Sequence, residues 1–457
     1  MPSNAVAISP TQEKKRIYLE TLGCAKNRVD SEIMLASLQT HGYELTLKPE
    51  VAEVIIVNTC AFLTEASEES INRILDLSDF KSKGNCEKLV ATGCLTQRYQ
   101  DSLAKQIPEL DGLLGSNGFE QIPELVHTMY GGSGQSQLNL QQKPHYKQFE
   151  EQARVQTTPQ HYAYLKVAEG CSNMCSFCNI PALRGNFSSR TVNSIVTEIR
   201  NLTEKGVKEI NLISQDTSSY AKDFKNSTGL ATLLKSISDL EGDFWIRLFY
   251  CYPNTFTAET LEVIAADKRF CRYLDMPFQH INDDVLKAMN RKINRRQIEN
   301  KMAEVKASLP GAAWRTTFIV GFPTETEENF EELLEFVSAG HFQHVGVFSY
   351  SHEDNIRSAK WGDPIQNALK HERRKRLMEA QQKVSSLRNN NYISRKIKVL
   401  VDGISQESDL LLQGRSEFQG PDVDGLVYIN EGTARPGTFN NVEITEAHTY
   451  DLIGRIV

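Results

Sequence analysis

The sequence predicts an α/β protein in three parts: an open parallel α/β domain, a central partial (βα)6 barrel and a small all-β barrel at the C-terminal end. Three observations predict it. Short apolar runs alternate with helix-like stretches in two separate regions, which is the pattern of parallel sheets. A glutamine-rich stretch divides those regions. The last part then abandons helical patterning for short β-type runs between Gly and Pro turns. The chain has 457 residues, 40% of them hydrophobic and 24% charged, enough for two or three cores and ordinary enough to exclude disordered and fibrous classes. No run of about 18 apolar residues is present, so no membrane-spanning helix is expected. The polar stretch Met1–Arg16 lacks a secretory apolar core, which predicts a cytoplasmic protein. A net charge of −7 leans away from a dedicated nucleic-acid binder.

The first domain is expected over residues 16–130. Its strand candidates are Ile17–Leu22, Val54–Val57 and Leu89–Thr92. The unbroken apolar character of Val54–Val57 predicts a strand buried on both faces. Helical patterns follow at Asp30–His41, Glu65–Phe80 and Tyr99–Gln106. Residues 131–160 carry eight glutamines and few aliphatic side chains, and are predicted to be a linker. The central domain, 161–390, offers six strands: Tyr164–Val167, Glu209–Ile213, Trp245–Tyr250, Tyr273–Met276, Arg315–Val320 and Val345–Tyr350. Six units are too few for a closed eight-unit barrel, so an open one is predicted. A polar helix over Gln366–Leu387 carries the basic run Arg373–Arg376. The final domain, 391–457, has β runs at Lys398–Val401, Gly425–Ile429 and Asn441–Thr445.

Nine cysteines in a reducing compartment point to metal binding or catalysis rather than disulfides. Cys171, Cys175 and Cys178 form a CxxxCxxC run just past the end of a predicted strand. Three thiolates so close can wrap one centre, and on a four-iron cluster they leave one iron open. A closed zinc site completed by His161 or a more distant residue is the alternative. Cys24, Cys60 and Cys94 each follow directly on a predicted strand, spaced by about one β/α unit, so they could converge on the ligand-binding edge of an open sheet. Simple burial is the competing reading. Gly precedes two of them, permitting a tight turn or close approach. Cys86, Cys251 and Cys271 lack the strand-end placement and are expected to be structural. Further polar residues stand at or near strand ends of the central domain: Ser214, Gln215, Arg247, Gln279 and Arg315. Thr324, three before Glu327, reads as a helix cap.

The CxxxCxxC run, with an aromatic residue before its third cysteine, resembles the radical S-adenosylmethionine (SAM) superfamily. Combined with three spaced N-terminal cysteines and a small C-terminal β domain, the chain resembles the methylthiotransferase family over nearly its whole length, and the last domain looks like a TRAM domain. The resemblance implies two [4Fe-4S] clusters and SAM as cofactors. Cys171, Cys175 and Cys178 would hold the cluster that cleaves SAM, with Phe177 beside the adenine. Cys24, Cys60 and Cys94 would hold an auxiliary cluster that delivers sulfur. It further implies reductive cleavage of SAM to a 5′-deoxyadenosyl radical, hydrogen abstraction from an unactivated carbon, and a net change from C–H to C–S–CH3.

Two branches of the family are in play. One modifies an adenosine of tRNA; the other modifies the β-carbon of an aspartate in small-subunit ribosomal protein S twelve. The run Leu22-Gly23-Cys24-Ala25-Lys26-Asn27 resembles the second, which commonly has Pro where Ala25 stands. Ser214-Gln215-Asp216-Thr217, Gly414-Arg415-Ser416-Glu417 and Val423-Asp424-Gly425 resemble it as well. From Asn391 to Val457 there are six Lys/Arg and ten Asp/Glu, a net of −4, which suits a basic protein partner better than an RNA backbone. Arg373–Arg376 could touch RNA, but on a polar helix it is more simply a solvated face. The expected partners are therefore that ribosomal protein and an electron donor such as flavodoxin or ferredoxin. A two-cluster electron carrier is the rival from another functional class.

Overall fold

In the run Val54–Thr59 every residue is apolar or buried, and its side chains alternate between two separate cores. Ile55 and Val57 join Leu89, Ala91, Leu95 and Leu113 on one face; Val54 and Ile56 join Val90, Leu114, Val126 and Met34 on the other. A period of two along a strand produces this division, and it makes the strand the centre of a three-layer sandwich. Burial of each such aliphatic side chain contributes about 1.5–3 kcal/mol.

The computed structural model describes residues 14–131, 137–139, 153–225, 229–353 and 355–457. Its contacts divide the chain into two compact units. The first holds the described residues up to Thr157 together with Glu169–Ser172 and Asn179–Ser188; the second holds Thr158–Ala168, Asn173–Cys178 and everything from Ser189 onward.

The first unit is built on strands β1 (Arg16–Thr21), β2 (Glu44–Leu45), β3 (Val54–Thr59), β4 (Lys88–Gly93), β5 (Gly112–Gly115) and β6 (Gln137–Asn139). They pair in parallel in the order β2-β1-β3-β4-β5-β6. Strand order reverses between β1 and β3, so the carboxyl edge there is the natural ligand crevice. The helices Ala25–Thr40 and Cys94–Gln106 begin several residues before the expected positions, at the cysteines themselves. Most of the expected linker, 132–136 and 140–152, and the tail 1–13 lie outside the described residues. The described part supplies β6, and Val155–Thr157 is held to Glu32: its carbonyl accepts from the Val155 N–H at 3.0 Å and its carboxylate from the Thr157 N–H at 2.7 Å.

In the second unit six parallel strands, Tyr162–Lys166, Glu209–Ile213, Trp245–Leu248, Phe270–Asp275, Ala313–Val320 and His344–Ser349, pair in sequence order and leave the sheet open. This is the expected partial barrel. The helix cap expected at Thr324 is instead Thr326, whose hydroxyl accepts from Asn329 N–H in a capping box. The long helix Asn367–Asn390 does not present its basic run to solvent as one face. Arg373 is buried on Glu325 and Glu327, and Arg374 donates to the Val347 carbonyl. The last domain closes five strands, Lys396–Ile404, Leu412–Ser416, Val427–Glu431, Phe439–Ala447 and Leu452–Ile456, around Val399, Val401, Val427, Ile429, Val442, Ile444 and Leu452. Two of these strands were not anticipated. Gln413-Gly414-Arg415-Ser416 is too polar to read as one, and Leu452–Ile456 is a short terminal run.

Candidate functional site

Cys24, Cys60 and Cys94 leave the carboxyl ends of β1, β3 and β4, and the structure brings them together. Cys24 caps the helix Ala25–Thr40 and Cys94 opens the helix Cys94–Gln106. Gly23 and Gly93 have φ of +88° and +97°. A β-carbon on Gly23 would stand 2.7 Å from Cys60 Cβ and 3.0 Å from its Sγ; one on Gly93 would stand 2.5 Å from Asn58 Oδ1. Only glycine permits both the backbone turn and the close approach. Polar side chains then tie the three loops. Asn27 Nδ2 donates to the carbonyls of Leu22 (2.8 Å) and Thr59 (3.0 Å). Asn58 Nδ2 donates to the Asn27 carbonyl at 2.9 Å, and Thr59 Oγ1 to the Thr92 carbonyl at 2.5 Å.

Burial, with Cys94 next, pushes the Cys60 thiol up to about 11, and burial likewise raises Cys94, with Arg184 opposing it. Such thiols are neutral until a metal displaces their protons. Soft donors at two helix amino termini, where the partial charge is positive, suit an anionic iron–sulfur cluster. Among the described residues no three His, Cys, Asp or Glu are placed to hold a single metal ion. A four-iron cluster takes each thiolate on a different iron, so its ligands stand apart.

The CxxxCxxC segment is a loop anchored at both ends. In the first unit, Cys171 N–H donates to the Gly185 carbonyl at 3.1 Å. In the second, Ser176 N–H donates to the Met289 carbonyl (2.9 Å), its hydroxyl to that of Ala288 (2.9 Å), and its own carbonyl accepts from Ser358 N–H (2.8 Å). Asn173 donates to Asp216 at 2.7 Å, and Arg291 Nη1 lies 3.6 Å from Cys175 Sγ. Phe177 rests on Val285, Met289, Phe322 and Tyr350. Cys86, Cys251 and Cys271 are all buried.

Family models match three stretches of the chain: Uncharacterized protein family UPF0004 at residues 16–115, the Radical SAM superfamily at 165–337 and the TRAM domain at 393–457. Ribosomal protein uS12 methylthiotransferase RimO of Geotalea uraniireducens is 44% identical over 98% of this chain and 99% of its own. The proteins of that name from Geobacter sulfurreducens and Bdellovibrio bacteriovorus are also 44% identical, over 97% and 98% of this chain and 99% and 98% of theirs. The chain belongs to the RimO family. Among solved structures, the radical SAM methyltransferase TsrM of Kitasatospora setae aligns at a TM-score of 0.54 and 14% identity over 74% of this chain and 75% of that one. The cobalamin-dependent SAM radical enzyme OxsB aligns at 0.53 and 11%, over 80% and 56%. At those identities the likeness is one of fold.

Membership in the RimO family gives the remaining candidates a frame, and two of them have other employment. Arg247 is fully buried. Its Nε donates to Glu209 (2.8 Å) and its Nη atoms to the carbonyls of Glu417 (2.7 Å) and Ser416 (3.3 Å). Arg315 pairs with Asp275 (3.0 Å) and Asp424 (3.4 Å). Both therefore bind the C-terminal barrel to the central sheet. Arg415 completes that dock by pairing with Glu209 and Asp402. The acidic count of the last domain is partly spent here too. Asp402 also meets His161, Asp422 meets Tyr162 and Tyr164, Asp424 meets Tyr273, and Glu417 accepts from Arg272 N–H. Ser214 is buried in a turn, accepting from Asp216 N–H at 3.0 Å, and Gln279 has φ of +76° with its peptide bonded to Thr317 and Ile319. Sequence reasoning missed Asn27, Asn58, Arg184 and Arg291. For Arg184 there was one signal, a lone charge after the apolar run Ile180–Leu183.

Proposed function

We propose that this chain is a radical SAM methylthiotransferase that modifies the β-carbon of an aspartate in ribosomal protein uS12. The observation that carries the reading is the gathering of Cys24, Cys60 and Cys94 at the crevice of the first sheet, in a chain that also has the CxxxCxxC loop and full-length likeness to uS12 methylthiotransferases. In this reading Cys171, Cys175 and Cys178 ligate one [4Fe-4S] cluster, and the strand-end triad ligates a second. Bound there, the clusters and SAM supply a carbon-centred radical and the sulfur and methyl groups to be transferred.

The chain's own residues do the rest. Ser176 fixes the loop so that Cys175 and Cys178 are preorganised. Phe177, Ser214, Gln215 and Gln279 are the proposed SAM contacts, with Asn173 and Asp216 ordering the loop opposite them. Gly23 and Gly93 allow the three N-terminal thiols to meet, and the buried Asn27–Asn58 pair holds their loops in place. An external donor of flavodoxin or ferredoxin type would supply electrons, and the cytoplasm is the compartment that suits such chemistry. Among the described residues no helix is long and apolar enough to cross a membrane.

The test is anaerobic incubation of the reduced holoenzyme and SAM with uS12 and, separately, with tRNA. A methylthio mass increment on an aspartate of uS12 is the expected product. An increment on tRNA adenosine with none on uS12 would replace this reading by the other branch, and absence of SAM cleavage would point to an electron carrier.

A further inference from the structure

Arg184 lies only six residues beyond Cys178, yet its side chain belongs to the first unit, among the other three cysteines. It is 2% exposed. Its Nη1 donates to Asp30 Oδ2 at 2.7 Å and lies 3.6 Å from Glu169 Oε2, and its Nη2 donates to Asn27 Oδ1. Cys94 and Cys60 both lie within electrostatic reach of the same guanidinium. Two contacts hold it there. Leu183 packs in the core that contains Cys94 and Leu95, and the Leu183 carbonyl accepts a hydrogen bond from Ser116. Asn27 and Asp30 lie on the helix that Cys24 caps, so one cation touches the structural surroundings of all three thiols.

We propose that Arg184 is the positioning counter-charge of the auxiliary cluster: it orients the Cys94 ligand and, with Asp30, sets the cluster's reduction potential. The inference rests on the auxiliary-cluster reading above. A four-iron core on three thiolates is an anion, and reduction adds a further negative charge. A fixed buried cation favours the reduced form and a fixed carboxylate disfavours it, because the interior screens neither well. A guanidinium can do this while keeping three other partners, since it carries five donors in a rigid fork.

The experiment uses full-length chain with Cys171, Cys175 and Cys178 all changed to Ala, so that only the auxiliary cluster remains. Iron is quantified after anaerobic reconstitution, and the potential is read by redox titration with electron paramagnetic resonance. Arg184→Met is expected to shift the potential negative, Asp30→Asn to shift it positive, and Arg184→Lys to stay nearer the parent. Loss of iron in Arg184→Met with retention in Arg184→Lys also supports the proposal. Shifts of the same sign in Arg184→Met and Asp30→Asn, no shift in either, or equal iron loss in the Met and Lys variants would reduce Arg184 to a packing role and overturn it. If the parent itself binds no iron, the auxiliary-cluster reading fails and the inference falls with it.

Discussion

Cys60 stands between its two partners, with Gly23 pressed against its side chain and its backbone N–H held by Ser70 Oγ at 3.1 Å. On the proposed auxiliary-cluster reading, its replacement by Ala removes one of three ligands and leaves the CxxxCxxC cysteines in place. Cys60→Ala is expected to lose roughly half the iron, keep SAM cleavage and lose methylthio transfer. Retained methylthio product by mass spectrometry would remove Cys60 from the sulfur-delivering site. The single residue was also the scale at which sequence reading was most uneven. Thiols announce themselves by type and spacing, so the convergence of Cys24, Cys60 and Cys94 could be anticipated from the chain alone. Arg247 and Arg315 could not be assigned correctly, because an arginine near a strand end looks the same whether it faces a substrate or a docked domain.

At the level of elements, the cysteines are placed by three strand-to-helix turns, and the turns depend on two glycines. Gly93→Ala must adopt a φ near +97° and press its Cβ to within 2.6 Å of the Thr59 carbonyl oxygen. The backbone strain alone costs about 1–3 kcal/mol, and the expected result is a lower melting temperature together with loss of auxiliary iron. An unchanged melt and full iron content would show that the turn is not under this constraint. The strands carrying the cysteines were legible because their apolar runs are unbroken. Gly112–Gly115 was not, being four residues framed by glycines, nor was Gln137–Asn139 within a polar stretch. Helix starts were read several residues late because polar residues, Lys26 and Asn27 after Cys24 and Thr96 and Gln97 after Cys94, interrupt the apolar pattern there, although these four are buried.

Over the whole molecule, buried charge secures the C-terminal barrel to the central sheet. Glu209, fully buried, pairs with both Arg247 and Arg415. Glu209→Gln leaves two buried guanidinium groups short of their counter-ion, and the expected cost is about 3–5 kcal/mol. It should appear as a lower melting temperature and earlier proteolysis between the central and C-terminal domains. Asp402 adds a pH dependence. Burial opposes its charge, but Arg415 and His161 outweigh burial and hold it below the ordinary carboxylate range. Its folded value is thus below its unfolded one, so its contribution is complete above roughly pH 4 and is lost as the pH falls through the lower folded value. Thermal melts from pH 5 to 3 should therefore fall less steeply for Asp402→Asn than for the parent. The family-like runs around Arg415 and Asp424 turn out to serve this dock, a role that charge counting over the last domain could not distinguish from an acidic surface awaiting a partner.

The most direct measurement is iron and sulfide per chain after anaerobic reconstitution, made on the parent and on two variants in which either cysteine triad is changed to Ala. The account predicts about eight irons in the parent and about four in each variant, with SAM cleavage surviving only where Cys171, Cys175 and Cys178 remain. About four irons in the parent, unchanged when Cys24, Cys60 and Cys94 are replaced, would contradict it.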